Sequence, residues 1–327
     1  MKALVFEAPE RPVVADLEPP EIGPDEVLIR SRAVGICHSD FELLDGRYII
    51  PVSYPIIPGH EWSGEVAEVG RAVEGLSPGD AVVGECVVGP GGRDHFGFSV
   101  SGADADFFKA RGEWLHKLPE GMSHATGAMV EPFSVAYNAV LAAGGMDPSD
   151  TVAVIGGGPI GLLSVLAAAA TNARVVLVEP QEHRRRQALD MGAHAALDPT
   201  ADDFADAVAE LTEGRAFDVV IEAAGAPRAM ASALEIAGQG ARVVYVGIDI
   251  GSIASVQIGL IQSKGLQIRG VIGSPYIWPK AIRFLASNVM DPTSIITASF
   301  PLESALDALA AARDTASNIK VHIQPGA

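Results

Sequence analysis

The sequence predicts a two-domain chain: a β-rich, barrel-like domain joined to an α/β domain on a doubly wound parallel sheet. Three observations carry this. At 327 residues the chain exceeds the length at which one hydrophobic core usually suffices. Residues 1–130 read as short strands broken by Gly and Pro pairs. From residue 150 strands alternate with helices, and VVLV and VVYV are apolar throughout, as a sheet covered on both faces requires.

Taken in order, KALVFEAP, EVLIRSRAVG, EWSGEVAEVG and DAVVGECVVG are the strands of the first half. TVAVIG then reads as a strand, PIGLLSVLAAAA as a helix, ARVVLVEP as a strand, and EHRRRQALDMG and DDFADAVAELT as helices. FDVVIEAAG, APRAMASALEIAG and ARVVYVGI continue the alternation, and LQIRGVIG closes it. The tail holds two amphipathic helices, IWPKAIRFLAS and LESALDALAAARD, and a last strand, IKVHIQP.

With 48% hydrophobic residues the chain can bury sizeable cores. A formal net charge of −18 argues against a nucleic-acid groove or an anionic membrane surface as partner. The longest apolar stretch, TVAVIGGGPIGLLSVLAAAAT, is interrupted by glycines and a proline, which suits a buried strand, turn and helix rather than a membrane span. Two cysteines make no disulfide framework, and no basic, apolar leader precedes MKALVFEAPE, so a reducing cytoplasm is expected.

GGGPIG supplies Gly156, Gly158 and Gly161, with Pro159 and Ile160 between the last two. Such a pattern alone is weak. Here it follows a strand and opens a helix, and an acidic residue, Glu179, ends the next strand, which is the context of a dinucleotide fingerprint. The glycines would admit a pyrophosphate to the helix N-terminus. Glu179 would bond the ribose hydroxyls and repel a 2′-phosphate, favouring NAD. Arg184, Arg185 and Arg186 keep NADP open, since a guanidinium could pair with the extra phosphate.

Cys37 lies in GICHSD, His60 and Glu61 in GHEWSGEV, and Glu131 in MVEPFSV. A thiolate, an imidazole and a carboxylate suit a zinc site that keeps one position open. The spacing alone does not establish one, because a buried cysteine also behaves as a small hydrophobe and most glutamates are solvated.

The order GICHSD, PGHEWSGEVAEVG, GD, MVEPFSVAYNAV, VIGGGPIGLL and IKVHI resembles the zinc-dependent medium-chain alcohol dehydrogenases, and EPFSV resembles their polyol and sugar branch. The resemblance spans essentially the whole chain. It implies a GroES-like β-barrel catalytic domain at 1–132 and 273–327 and a Rossmann domain at 133–272, with an active zinc in the cleft. It further implies Cys37 and His60 as ligands, with Glu61 or Glu131 as the third. Asp40 would orient His60, Ser39 would bond the substrate oxygen and start a proton relay, and His38 would near the cofactor phosphates. The substrate would be a small secondary alcohol or ketone, the assembly a homodimer or homotetramer, with VIGSP resembling the pairing segment.

One departure stands out. The four-cysteine lobe for a structural zinc is absent: the segment GECVVGPGGRDHFGF has Cys86 alone, so one catalytic zinc per chain and no structural zinc is expected. Cys86, Asp94 and His95 read as a core cysteine and surface-loop residues. Trp62, beside the ligand pair, is a candidate to line the substrate site. Two rivals remain: a metal-free NADPH-dependent quinone or enoyl reductase of the same superfamily, and a non-catalytic NAD-binding protein.

Overall fold

A computed structural model describes residues 1–249, 251–287 and 290–326. The chain divides into two compact units, one of Met1–Glu131, Trp278–Asn288 and Ile296–Ala327, the other of Pro132–Ile277 and Val289–Ile295.

In the first unit, β1 (Lys2–Ala8) and β2 (Arg11–Asp16) form an antiparallel hairpin. β3 (Glu26–Gly35), β4 (Glu61–Val69) and β5 (Ala81–Gly84) follow, then a small hairpin of β6 (Val87–Val88) and β7 (Asp94–His95), then β8 (Phe107–Arg111) and β9 (Leu115–Lys117). The alternation of EVLIRSRAVG puts Val27, Ile29 and Ser31 inside while Arg30 faces out, as a period of two demands. After Gly35 the strand gives way to helix α1 (His38–Leu44), with Cys37 as its N-cap.

The second unit is a six-stranded, all-parallel sheet of β10 (Thr151–Ile155), β11 (Arg174–Val178), β12 (Ala195–Leu197), β13 (Phe217–Glu222), β14 (Ala237–Tyr245) and β15 (Gln267–Gly270). Its order, β12-β11-β10-β13-β14-β15, is the Rossmann order, whose switch point lies between β10 and β13. β10 is buried at every residue and β11 at all but its first, the burial that their uniformly apolar sequences anticipate.

The chain then returns to the first unit with β16 (Ile296–Pro301) and β17 (Lys320–Gln324). They complete a seven-stranded mixed sheet, ordered β16-β17-β3-β4-β5-β9 with β8 against β3. The expected mixed β domain and parallel-sheet domain are thus both present. Among the described residues no helix is long and apolar enough to cross a membrane.

β17 carries a buried histidine. His322 is 1% exposed, and its Nε2 has no partner among the described residues. Burial, then the neighbouring Lys320 charge, pushes its pKa down to about 3. The unfolded chain takes up that proton near pH 6.5, whereas the folded one refuses it until about pH 3. The stability this confers is present above pH 6.5 and is lost as pH falls through that window. Denaturant titrations of His322→Leu should therefore show a shallower loss between pH 6.5 and pH 4 than the parent; an equally steep loss would assign the acid limb elsewhere.

Candidate active site

The first unit gathers Cys37, His60 and Glu61, whose ligating atoms lie within 4.8 Å of one another. The strand pairing explains why. β3 and β4 are antiparallel with Gly35 opposite Glu61, so the chain leaving β3 and the chain entering β4 meet at the same end. Cys37 follows the one and His60 precedes the other.

Asp40 performs two tasks. Its Oδ2 accepts the Cys37 backbone N–H at 2.8 Å, one half of a capping box on α1. Its Oδ1 lies 3.3 Å from His60 Nδ1, an ion-pair separation too oblique to count as a hydrogen bond. That faces Nδ1 to the carboxylate and leaves Nε2 for the cluster, the tautomer that a metal-bound histidine needs. Burial opposes a charged imidazole, but Asp40 and Cys37 together hold the His60 pKa well above its ordinary value. Ser39 Oγ is 3.4 Å from Nε2. His38 is exposed on the first turn of α1.

Glu61 is 1% exposed, and Lys320, on the last strand, is 2% exposed. The ammonium donates to Glu61 Oε1 at 2.9 Å, to Oε2 at 2.6 Å and to the Ile36 carbonyl at 3.0 Å, which uses all three of its protons. The Glu61 carboxylate crosses Gly35 to reach it, and any Cβ at 35 would collide with Glu61 Oε2. Sequence reasoning quoted this strand but gave Lys320 no part. The available signal was a lysine opening a strand, KVHI, buried at every residue, since a buried cation demands a carboxylate.

Glu131 sits in the first turn of helix α2 (Val130–Ala142). Burial raises its pKa to about 7, with His60 acting against and Glu61 with that shift. Two aromatic rings extend from the histidine: Phe98 lies 4.7 Å from His60 at 41°, and Tyr48 stacks on Phe98 at 4.2 Å and 4°. Trp62 points elsewhere. As the strand neighbour of Glu61 it projects to the opposite face and packs on Phe96 and Phe108, 2% exposed, so its candidacy as a lining residue gives way to a core role. Cys86 is half-buried, packs against a core cluster and has its pKa raised by burial to about 12. Among the described residues, only Cys37, His60 and Glu61 form a group of three potential metal ligands.

The donor set fits zinc. A thiolate, an imidazole with its second nitrogen turned to a carboxylate, and a buried carboxylate are three protein ligands of the kind that leave a fourth position open.

The second unit holds the glycine-rich turn between β10 and the helix that follows it. Gly156 ends the run from β10 in a left-handed conformation, φ +99°, and helix α3 (Pro159–Ala169) begins with Pro159 at its first position, with Ile160 and Gly161 next. A Cβ on Gly161 would overlap the Gly156 carbonyl, and one on Gly157 would lie 2.9 Å from Glu179 Cγ and 3.0 Å from Arg184 Cβ. Glu179 is 5% exposed; its Oε2 accepts from Gly157 N–H at 2.6 Å and its Oε1 from Gln181 N–H at 2.9 Å. Arg185 donates to the Glu179 and Pro180 carbonyls and pairs with Asp198, while Arg186 pairs with Glu182. Arg184 is the arginine packed beside Glu179.

Comparison with known proteins agrees with both halves. Residues 23–120 match the alcohol dehydrogenase GroES-like domain and residues 159–287 the zinc-binding dehydrogenase domain. Sorbitol dehydrogenase of Bacillus subtilis is 32% identical, the alignment covering 94% of this chain and 92% of that protein. A putative zinc-binding dehydrogenase of Sinorhizobium meliloti bound to NADP superposes with a TM-score of 0.91 at 29% identity over 99% of both chains. An alcohol dehydrogenase of Escherichia coli CFT073 complexed with NADH gives 0.91 at 26%, again over 99% of each.

Lys320 gives the site its test. Replacing it with Met leaves the Glu61 carboxylate buried without a counter-charge, a loss of about 3–5 kcal/mol in the metal-free protein by chemical denaturation. The double change Lys320→Met, Glu61→Gln should recover most of it; two additive losses would mean that the pair is not coupled.

Proposed function

This chain belongs to the zinc-binding alcohol dehydrogenase family, an NAD(P)-dependent group acting on CH–OH donors, and we propose that it oxidises a polyol, sugar or cyclitol-like secondary alcohol with NAD. The observation that carries the zinc reading is the convergence of Cys37, His60 and Glu61 within 4.8 Å. The similarity to a sorbitol dehydrogenase supports the polyol.

Cys37 and His60 Nε2 are the fixed ligands in this reading. Glu61 is the carboxylate within reach, and Glu131, a buried acid of the same unit, would serve in its place were Lys320 to hold Glu61 back. When bound, zinc would supply Lewis acidity toward a substrate hydroxyl, and the dinucleotide would supply the hydride acceptor. Asp40 holds the His60 ring in one orientation. Ser39 Oγ, beside Nε2, takes the hydroxyl proton and passes it to solvent. His38, exposed at the helix start, is assigned to the cofactor phosphates. Phe98 packs against the His60 ring, with Tyr48 stacked on Phe98.

Edge strand β15 supports a homodimer or homotetramer: all four of its residues are exposed, Ile268 among them at 41%, and Ile272 just past its end is 68% exposed. An unpaired edge with apolar flanks suits a second copy. Two unbridged cysteines fit a cytoplasmic setting.

Metal analysis should give one zinc per chain in the parent and none in Cys37→Ala, with turnover of a panel of polyols, sugars, cyclitols and simple secondary alcohols lost alongside it. Ser39→Ala should keep its zinc and lose about 10²–10⁴-fold in kcat. Full turnover after exhaustive chelation would instead support the metal-free reductase.

Cofactor choice rests on Glu179, whose carboxylate would face the 2′-phosphate of NADP. Steady-state kcat/KM should favour NAD, and Glu179→Ser should narrow the gap. A parent that prefers NADP would place Arg184 in control.

A further inference from the structure

Glu222 is a charged side chain that the reaction does not use, buried where the strands of the parallel sheet end. It is the last residue of β13, adjoining the switch point, and it has no exposed surface. In register it sits between Ile155 of β10 and Tyr245 of β14.

Its hydrogen bonds reach two turns at once. Oε1 accepts the N–H groups of Ala224 at 2.8 Å and Gly225 at 2.9 Å, which bends the chain back over the strand end. The Glu222 carbonyl accepts from Val246 and Gly247, both at 2.9 Å, at the end of β14. Oε2 has no partner among the described residues.

The turns so held are in contact. A Cβ on Gly247 would collide with Gly225 N and lie 2.7 Å from Glu222 Oε2. Gly225, at φ +72°, has Ile248 N at 2.9 Å from where its Cβ would stand. On the other side, a Cβ on Gly156 would be 2.9 Å from Ala224 Cβ. Gly156, Ala224, Gly225, Gly247 and Ile248 therefore form a floor across the carboxyl ends of three adjacent strands. The crevice of an open α/β sheet lies on that edge.

A buried carboxyl with one oxygen unpartnered lowers stability. Backbone carbonyls or a hydroxyl could hold either turn without burying a carboxyl, whereas this one carboxyl residue ties both turns at the edge where the crevice lies. We infer that Glu222 is a positioning residue for the dinucleotide: through the Ala224 and Gly225 amides it fixes the floor, contiguous with Gly156, on which the cofactor lies. This rests on the NAD(P) reading of the second unit. An amide at this position keeps an acceptor oxygen for the Ala224 and Gly225 N–H groups.

The test is NADH binding to the zinc-loaded protein, followed by nicotinamide fluorescence, with thermal melts taken without cofactor. Glu222→Met fills the volume but accepts no hydrogen bond. It removes the unpartnered oxygen but also leaves the Ala224 and Gly225 N–H groups without their acceptor, so its melting temperature should shift by only about a few degrees, while the Kd for NADH rises about tenfold or more and kcat/KM for NAD falls further than kcat. Glu222→Gln should bind NADH like the parent. If Glu222→Met does not fold, Glu222→Asp withdraws the carboxyl by one methylene and should also weaken NADH. Parent-like binding by Glu222→Met, or by Glu222→Asp in its place, overturns the inference. So does Glu222→Gln binding as weakly as Glu222→Met. A parent protein that binds no NADH would sink the cofactor reading itself, a result distinguishable from these.

Discussion

The buried ion pair of Lys320 and Glu61 is the constraint around which the first unit is organised. It joins the last strand of the chain to the residue beside His60, across a glycine that has no side chain to obstruct it. Two buried charges are costly to desolvate and become tolerable only when every proton and lone pair is used. Lys320 meets that condition with three acceptors. The consequence is that Glu61, positioned by the β3–β4 pairing, draws its counter-ion from the last strand, which lies against β3.

Economy of polar groups recurs around the cluster. Asp40 caps the helix that presents Ser39 and also faces the imidazole that presents Nε2. A single carboxylate thereby couples the positions of Ser39 and His60, so displacement of α1 would turn His60 as well. Phe98 buttresses the other face of that ring, and Tyr48 stacks on Phe98 in turn. The histidine is held by charge on one side and by dispersion on the other.

In the second unit two glutamates divide the carboxyl edge of the sheet. Glu179, after β11, draws in the Gly157 amide, and Glu222, ending β13, draws in those of Ala224 and Gly225. Both are buried, and both accept from backbone N–H groups with no helical or ladder partner. The glycine-rich turn is thus shaped by side chains from neighbouring strands as well as by its own conformational freedom.

The sequence by itself determined the two-part architecture, because strand burial on one or both faces is written in the period of the apolar residues: alternating in EVLIRSRAVG, continuous in TVAVI and RVVLV. It also determined the glycine-rich turn, where Gly156, Gly161 and Glu179 meet within neighbouring strand–turn–helix units. Tertiary structure decided what depends on distant segments meeting. Lys320 against Glu61 joins residues far apart in the chain, and no local period marks such a pair. Trp62 and Glu61 are neighbours in sequence, yet the strand turns them to opposite faces, one into the core and the other toward the cluster. Glu222 ends a strand that the sequence shows, but its partners lie in the turns at 225 and 247, which only the folded sheet brings over it.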